Sequence, residues 1–177
     1  AVVYENGGWL WVLDLATEQT RRLVIAVHSD QVWARPRLVS AGDQVRGAGI
    51  SPDGKRAVVD ARGEIFSVPA EKGPVRNLTA TPAVRERFPV WSPDGRQVAY
   101  VGDASDEYAI YLRPADGTGE AKRLTNGLTS WVNSMRWSPD GKWLAVSTAA
   151  LDLLLGDAGS GKITRIDRGR AGDIGGY

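Results

Sequence analysis

Ser51-Pro52-Asp53-Gly54, Ser92-Pro93-Asp94-Gly95 and Ser138-Pro139-Asp140-Gly141 are three copies of one tetrapeptide, each followed by a basic residue, Lys55, Arg96 or Lys142. The copies begin 41 and then 46 residues apart. A period in the forties with short strands inside it marks propeller blades; helical solenoids carry helix-length stretches of 3.6 periodicity instead. The tetrapeptide has a local mechanism. Proline presets φ at the first central position of a turn, aspartate tolerates the second, and glycine supplies positive φ at the exit. The spacing therefore predicts a hairpin at each copy.

A compact apolar run follows each turn: Ala57-Val58-Val59, Val98-Ala99-Tyr100-Val101 and Leu144-Ala145-Val146. Such runs read as strands covered on both faces. Third strands are expected over 64–68, 108–113 and 151–157, each followed by a polar turn. Fourth strands then end in Arg76-Asn77-Leu78-Thr79, in Lys122-Arg123-Leu124-Thr125, and in Lys162-Ile163-Thr164-Arg165-Ile166. The opening segment matches the later part of a unit, with strands over 2–4, 9–15 and 21–27 and no first strand.

The expected fold class is all-β, a partial β-propeller of about four four-stranded antiparallel blades. It is read as a single domain over 1–177, with blades at about 1–27 (incomplete), 45–79, 87–125 and 132–167, and a long insertion at 28–44. A six- or seven-bladed ring of roughly 43-residue units needs on the order of 260 to 300 residues, so the chain is expected to be a fragment of one. Sheet faces and edges left open by a partial ring are expected to make the isolated segment associate.

Composition narrows the function classes. The chain has 177 residues, 42% of them hydrophobic, which suffices for a core. Its formal charge of +1 provides no global field for nucleic acid or anionic lipid, and neither is an expected partner. Cysteine is absent, which excludes disulfides, thiolate catalysis and Cys-ligated zinc and leaves the redox compartment unread. The single histidine, His28, excludes multi-His metal sites. No run of 18 apolar residues occurs.

Each candidate for chemistry has a structural reading that outweighs it. His28 sits beside Ser29 and Asp30, but triads are not assembled from sequence neighbours, and no GxSxG occurs. Gly156-Asp157-Ala158-Gly159-Ser160-Gly161-Lys162 matches GxxxxGK, yet Ile163 stands where a magnesium-binding hydroxyl belongs and a strand follows where a helix should. It reads as the turn between third and fourth strands, like 70–73 and 115–119. Asp103, Asp106 and Glu107 lack the alternation of a calcium loop and read as a hairpin tip. No catalytic residue, cofactor or metal is therefore assigned. Arg35 and Arg37, around Pro36, and Arg85 and Arg87, around Glu86, are basic spots suited to a peptide carboxylate or a neighbouring subunit; the plainer reading is a surface or salt-bridged rim. Trp91 and Trp137 directly precede two of the turns and read as inter-blade packing residues, with Ile50 in the same place in the first complete unit.

The Ser-Pro-Asp-Gly blades resemble the superfamily of TolB and of propellers that precede peptidase domains. More specifically, Gly63-Glu64-Ile65-Phe66, Val75-Arg76-Asn77-Leu78-Thr79, Val84-Arg85-Glu86-Arg87, Trp91-Ser92-Pro93-Asp94-Gly95 and Ile110-Tyr111 resemble, in order, the second propeller of tricorn-type serine proteases. Ala83 and Asp106 stand where that family commonly has glycine, and 151–155 lacks its usual third-strand aromatic. The resemblance implies a non-catalytic segment that gates or channels oligopeptides to a serine-hydrolase core outside this chain. Its implied partners are peptide substrates and other domains or subunits of the parent, and its implied compartment is cytoplasmic, with periplasmic or secreted as the alternative. The rival readings are a TolB-like interaction propeller and the propeller of a prolyl-oligopeptidase or amidohydrolase-like enzyme.

Overall fold

A computed structural model describes residues 1–6, 8–25, 40, 42–105 and 107–169. The chain divides into two compact units, Ala1–Val39 and Ser40–Tyr177. The first holds a three-stranded antiparallel meander, β1 (Val2–Asn6), β2 (Trp9–Leu13) and β3 (Thr20–Arg22). Its register pairs Tyr4 with Trp11 and Trp11 with Arg22. The Asp14 carboxylate accepts the Ala16 and Thr17 amides and so closes the β2–β3 turn. The Arg22 guanidinium covers the Trp9 ring at 4.3 Å.

The second unit contains three four-stranded antiparallel meanders. The first comprises β4 (Val45–Ile50), β5 (Arg56–Ala61), β6 (Glu64–Pro69) and β7 (Arg76–Asn77). The second comprises β8 (Arg87–Trp91), β9 (Gln97–Gly102), β10 (Ala109–Pro114) and β11 (Lys122–Arg123). The third comprises β12 (Val132–Trp137), β13 (Trp143–Thr148), β14 (Asp152–Asp157) and β15 (Ile163–Arg168). The first strands are neighbours, β8 packing against β4 on one side and β12 on the other. That is how blades sit in a propeller. Among the described residues the one helical element is the 3₁₀ turn Gly42–Gln44, and no helix is long and apolar enough to cross a membrane. The long expected insertion otherwise lies almost wholly outside the described residues.

The three tetrapeptides build one hydrogen-bonding pattern three times. In each, the serine hydroxyl donates to the aspartate Oδ1 at 2.6 Å. It also accepts the amide of Arg56, Gln97 or Trp143 at 2.9 Å. The same aspartate oxygen accepts the amide of Lys55, Arg96 or Lys142. The glycines take φ of 70, 71 and 72°, where a side chain would be strained. Gly95 and Gly141 also rest against Pro52 and Pro93 of the preceding turn. The turns thus stack from blade to blade as well as closing their own hairpins.

The core lies between blades. Val98 and Tyr100 of β9, with Ala109 and Tyr111 of β10, pack with Val58, Ile65 and Leu78 of the first blade. The alternate residues Ala99, Val101, Ile110 and Leu112 pack with Val132, Met135, Leu144 and Val146 of the third. The middle sheet is therefore buried on both faces, as its apolar run predicts. The third is not: Trp143 and Leu153 are exposed on its other face, against the expectation of two covered faces for every such strand.

The fourth strands differ from expectation in an informative way. β7 and β11 have only two paired residues each. Beyond them Leu78 and Leu124 drop into the core, and the Thr79 and Thr125 hydroxyls accept the Ile65 and Ile110 amides at 3.0 Å. A side-chain oxygen takes the place of a ladder carbonyl. The third blade lacks Leu-Thr, and β15 runs six residues. Gly161 in its entry turn has φ 74°, and a Cβ there would run into the Leu124 carbonyl oxygen of the neighbouring blade.

Candidate functional site

The blades of the second unit have two ends. One carries the tetrapeptide turns. The other carries the links between sheets, over 78–86 and 124–131, together with the β5–β6, β9–β10 and β13–β14 turns. All three first strands bulge toward this link end, with register shifts at Val45/Gly47, Arg87/Val90 and Val132/Ser134. Bulges re-aim side chains at strand ends.

Counted back from the turn serine, Arg46 and Arg87 occupy the same place on β4 and β8, and Asn133 occupies it on β12. Arg85, Arg87, Arg46 and Arg62 line one pocket of about 390 Å³, together with Asp60 and Glu86. Among the described residues none of these four guanidiniums is paired with a carboxylate. Of the plainer reading for Arg85 and Arg87, a surface or salt-bridged rim, the surface part fits the exposed Arg85, and the ion pairs are absent among the described residues. Instead the third blade supplies their support: Arg85 and Arg87 lie over the Trp131 ring at 5.8 and 5.0 Å, and Tyr108 meets that ring edge-on at 5.0 Å. At these distances the negative face of the ring attracts both guanidinium charges.

The two carboxylates of this pocket face inward. Asp60, 3% exposed, accepts the Arg46 and Gly47 amides through Oδ1 and the Phe88 amide through Oδ2, joining the bulges of β4 and β8. Glu86, 2% exposed, accepts the Thr81 hydroxyl through Oε1, while Oε2 has no partner among the described residues. Burial raises the Glu86 pKa against the opposing Thr81 and Thr79 hydroxyls, and the Glu64 and Asp103 charges add to the rise. Tyr100 is pushed up to about 12, by burial first and then by the Glu86 charge.

The remaining candidates resolve locally. His28, Ser29, Asp30, Trp33, Arg35, Pro36, Arg37 and Asp106 lie outside the described residues. The GxxxxGK stretch is the β14–β15 turn, in which Asp157 Oδ1 accepts the Gly159 and Ser160 amides. Asp103 accepts the Arg85 amide at 2.7 Å, and Glu107 reaches Arg123 at 3.9 Å. Among the described residues no group of three His, Asp or Glu is placed to hold a metal ion. Trp91 and Trp137 donate their indole N–H across the joint to the Gly49 and Val90 carbonyls, at 3.2 and 3.4 Å. Ile50, in the equivalent place, is 75% exposed.

Sequence reasoning missed Asp60 and Trp131. A signal existed for both: Asp60 interrupts an apolar run, and Trp131 stands as far from its turn serine as Arg85 does from its own.

Radially arranged four-stranded meanders with stacked entry turns define a β-propeller segment. A WD domain, G-beta repeat model matches residues 121–152, from the end of the second complete blade into the third. Tricorn protease homolog 1 of Streptomyces coelicolor is 34% identical over 99% of the chain, which covers 17% of that protein. The crystal structure of the tricorn protease superposes with a TM-score of 0.65 at 20% identity, covering 96% of this chain and 16% of that one. The structure of putative TolB from Agrobacterium tumefaciens gives 0.60 at 22% identity over 94% of this chain and 57% of that one. The chain is a tricorn-type propeller segment, spanning about a sixth of the curated relative it matches from end to end.

Proposed function

We propose that this chain is the non-catalytic propeller segment of a tricorn-like serine peptidase in the cytoplasm, and that its link end guides oligopeptides toward a catalytic core outside the chain. The proposed ring has six or seven blades. The observation that carries the reading is the set of guanidiniums without an ion pair among the described residues at the ends of neighbouring first strands, Arg46 beside Arg87, with Arg85 and Trp131 adjoining. First strands line a propeller's central channel, and arginines there can hand a peptide carboxylate from one blade to the next without a covalent step.

The test is the full-length parent carrying Arg85→Glu and Arg87→Glu together. Turnover of an oligopeptide of ten or so residues should fall about tenfold through KM, while that of a single-residue chromogenic amide stays unchanged. Equal loss on both substrates overturns the reading. A parent without any peptide turnover favours the TolB-like interaction propeller instead.

A further inference from the structure

We infer that Glu86 is a proton-controlled latch between the first and second complete blades, neutral when the joint is closed and opening it when ionised, so that it governs the position of Arg85 and Arg87. The buried Oε2 without a partner among the described residues is the starting observation. Folded proteins rarely leave a buried carboxylate oxygen unbonded, because an unpaired buried charge costs far more than an unpaired neutral group.

Burial is the largest influence on Glu86 and favours the neutral form, as do the Glu64 carboxylate of β6 and Asp103 of the β9–β10 turn; the Thr81 and Thr79 hydroxyls of its own link oppose them without reversing the balance. From β9 the Tyr100 phenol and the Gly102 backbone complete the surroundings. Asp60 pairs with Gly47 across the β4 bulge and is committed to three amides. The pocket's cations, Arg46, Arg62, Arg85 and Arg87, form no ion pair with Glu86. Arg113, the cation felt by Tyr100, donates instead to the Gly117 and Gly119 carbonyls.

The segment around Glu86 is suited to moving as a unit. Ala80, Ala83 and Phe88 all take positive φ, at 49, 65 and 56°, so the link is held by tertiary contacts against its local preference. Its attachments are few. The Glu86 amide donates to the Gly63 carbonyl, the Arg85 amide to Asp103 and the Phe88 amide to Asp60, and Arg87, the first residue of β8, pairs with Val101 ahead of the bulge. Charging Glu86 beside Glu64 and Asp103 strains these attachments together, and Arg85 and Arg87, its immediate neighbours, must follow. The latch rests on the passage reading only for what that movement does to peptides, not for whether it occurs.

The test is urea unfolding of the full chain at pH 5 and pH 8, wild type beside Glu86→Gln, which keeps the side-chain volume and carries no charge at either pH. A carboxyl whose folded pKa is raised gives full stability below its unfolded value and loses it as pH rises through the folded value. Wild type should therefore lose about tenfold in folding equilibrium constant, relative to Glu86→Gln, for each unit of that rise lying within the interval. Glu64→Gln should narrow the gap. Amide hydrogen exchange at Phe88, corrected for base catalysis, should quicken at pH 8 in wild type and not in Glu86→Gln. A ratio that is the same at both pH values overturns the latch. Should Glu86→Gln not fold, a carbon-13 carboxyl titration of wild type decides, and ordinary titration of Glu86 overturns it. Peptide turnover insensitive to Arg85 and Arg87 would sink the passage reading and leave these results standing.

Discussion

At the tetrapeptide end, the three complete blades repeat one set of bonds with the same partners and nearly the same distances. At the link end the first strands bulge alike, but the side chains there differ from blade to blade. Asp60 has Val101 and Ser147 as its counterparts, Arg46 and Arg87 face Asn133, and Arg85 corresponds to Trp131 and Gln44. A repeated end answers to a repeated requirement, closing a hairpin and stacking on the neighbouring turn. An end that changes from blade to blade answers to demands peculiar to each position around the axis. The difference separates scaffold from candidate site more clearly than any single residue does.

The sharpest way to break this contrast is Asp60→Ala. If the link end is individually built, removing one carboxylate strands three backbone donors and costs on the order of 3 kcal/mol in urea unfolding. A cost under about 1 kcal/mol would show that the bulges hold without it. Next comes Ser92→Ala at the repeated end, expected to cost about 1–2 kcal/mol. It also has a pH signature. The Ser92 hydroxyl is the main reason, ahead of the Arg96 amide, that the Asp94 pKa is lowered. A lowered carboxyl contributes stability above its unfolded value of about 3.9 and loses it as pH falls through the folded value, so Ser92→Ala should unfold earlier in acid titration. Ser51→Ala and Ser138→Ala should behave alike if the three turns are equivalent. The smallest effect is a gain. Ala83 takes φ of 65° in the link, and Ala83→Gly should stabilise the chain by about 1 kcal/mol. A loss there would mean that the Ala83 methyl makes contacts that outweigh its backbone strain.

The blade pattern was legible because its signals are short-range. Serine, aspartate and glycine meet within the same turn, and the turns recur at a readable period. The strand after each turn was legible too, but not how many of its faces are covered: Leu144 and Leu153 are equally apolar in sequence, and only the first has a neighbouring blade over it. The fourth strands of the first two complete blades stop short of expectation because Leu78 and Leu124 turn inward where a regular ladder would have continued, while β15 runs two residues past Ile166.

Arg85 and Arg87 stood out as a charged pair. Their support did not, since Trp131 lies more than forty residues away in the link that leads into another sheet. Glu86, between them, looked like one more rim charge and is instead buried. Sequence alone determined the turns, the period and the blade class, because those depend on φ preferences and hydrogen bonds spanning a few residues. Tertiary structure alone decided which charges meet, which lie over a ring and which are enclosed. Those outcomes depend on how one sheet rests on the next, and a repeat that specifies each sheet separately leaves that open.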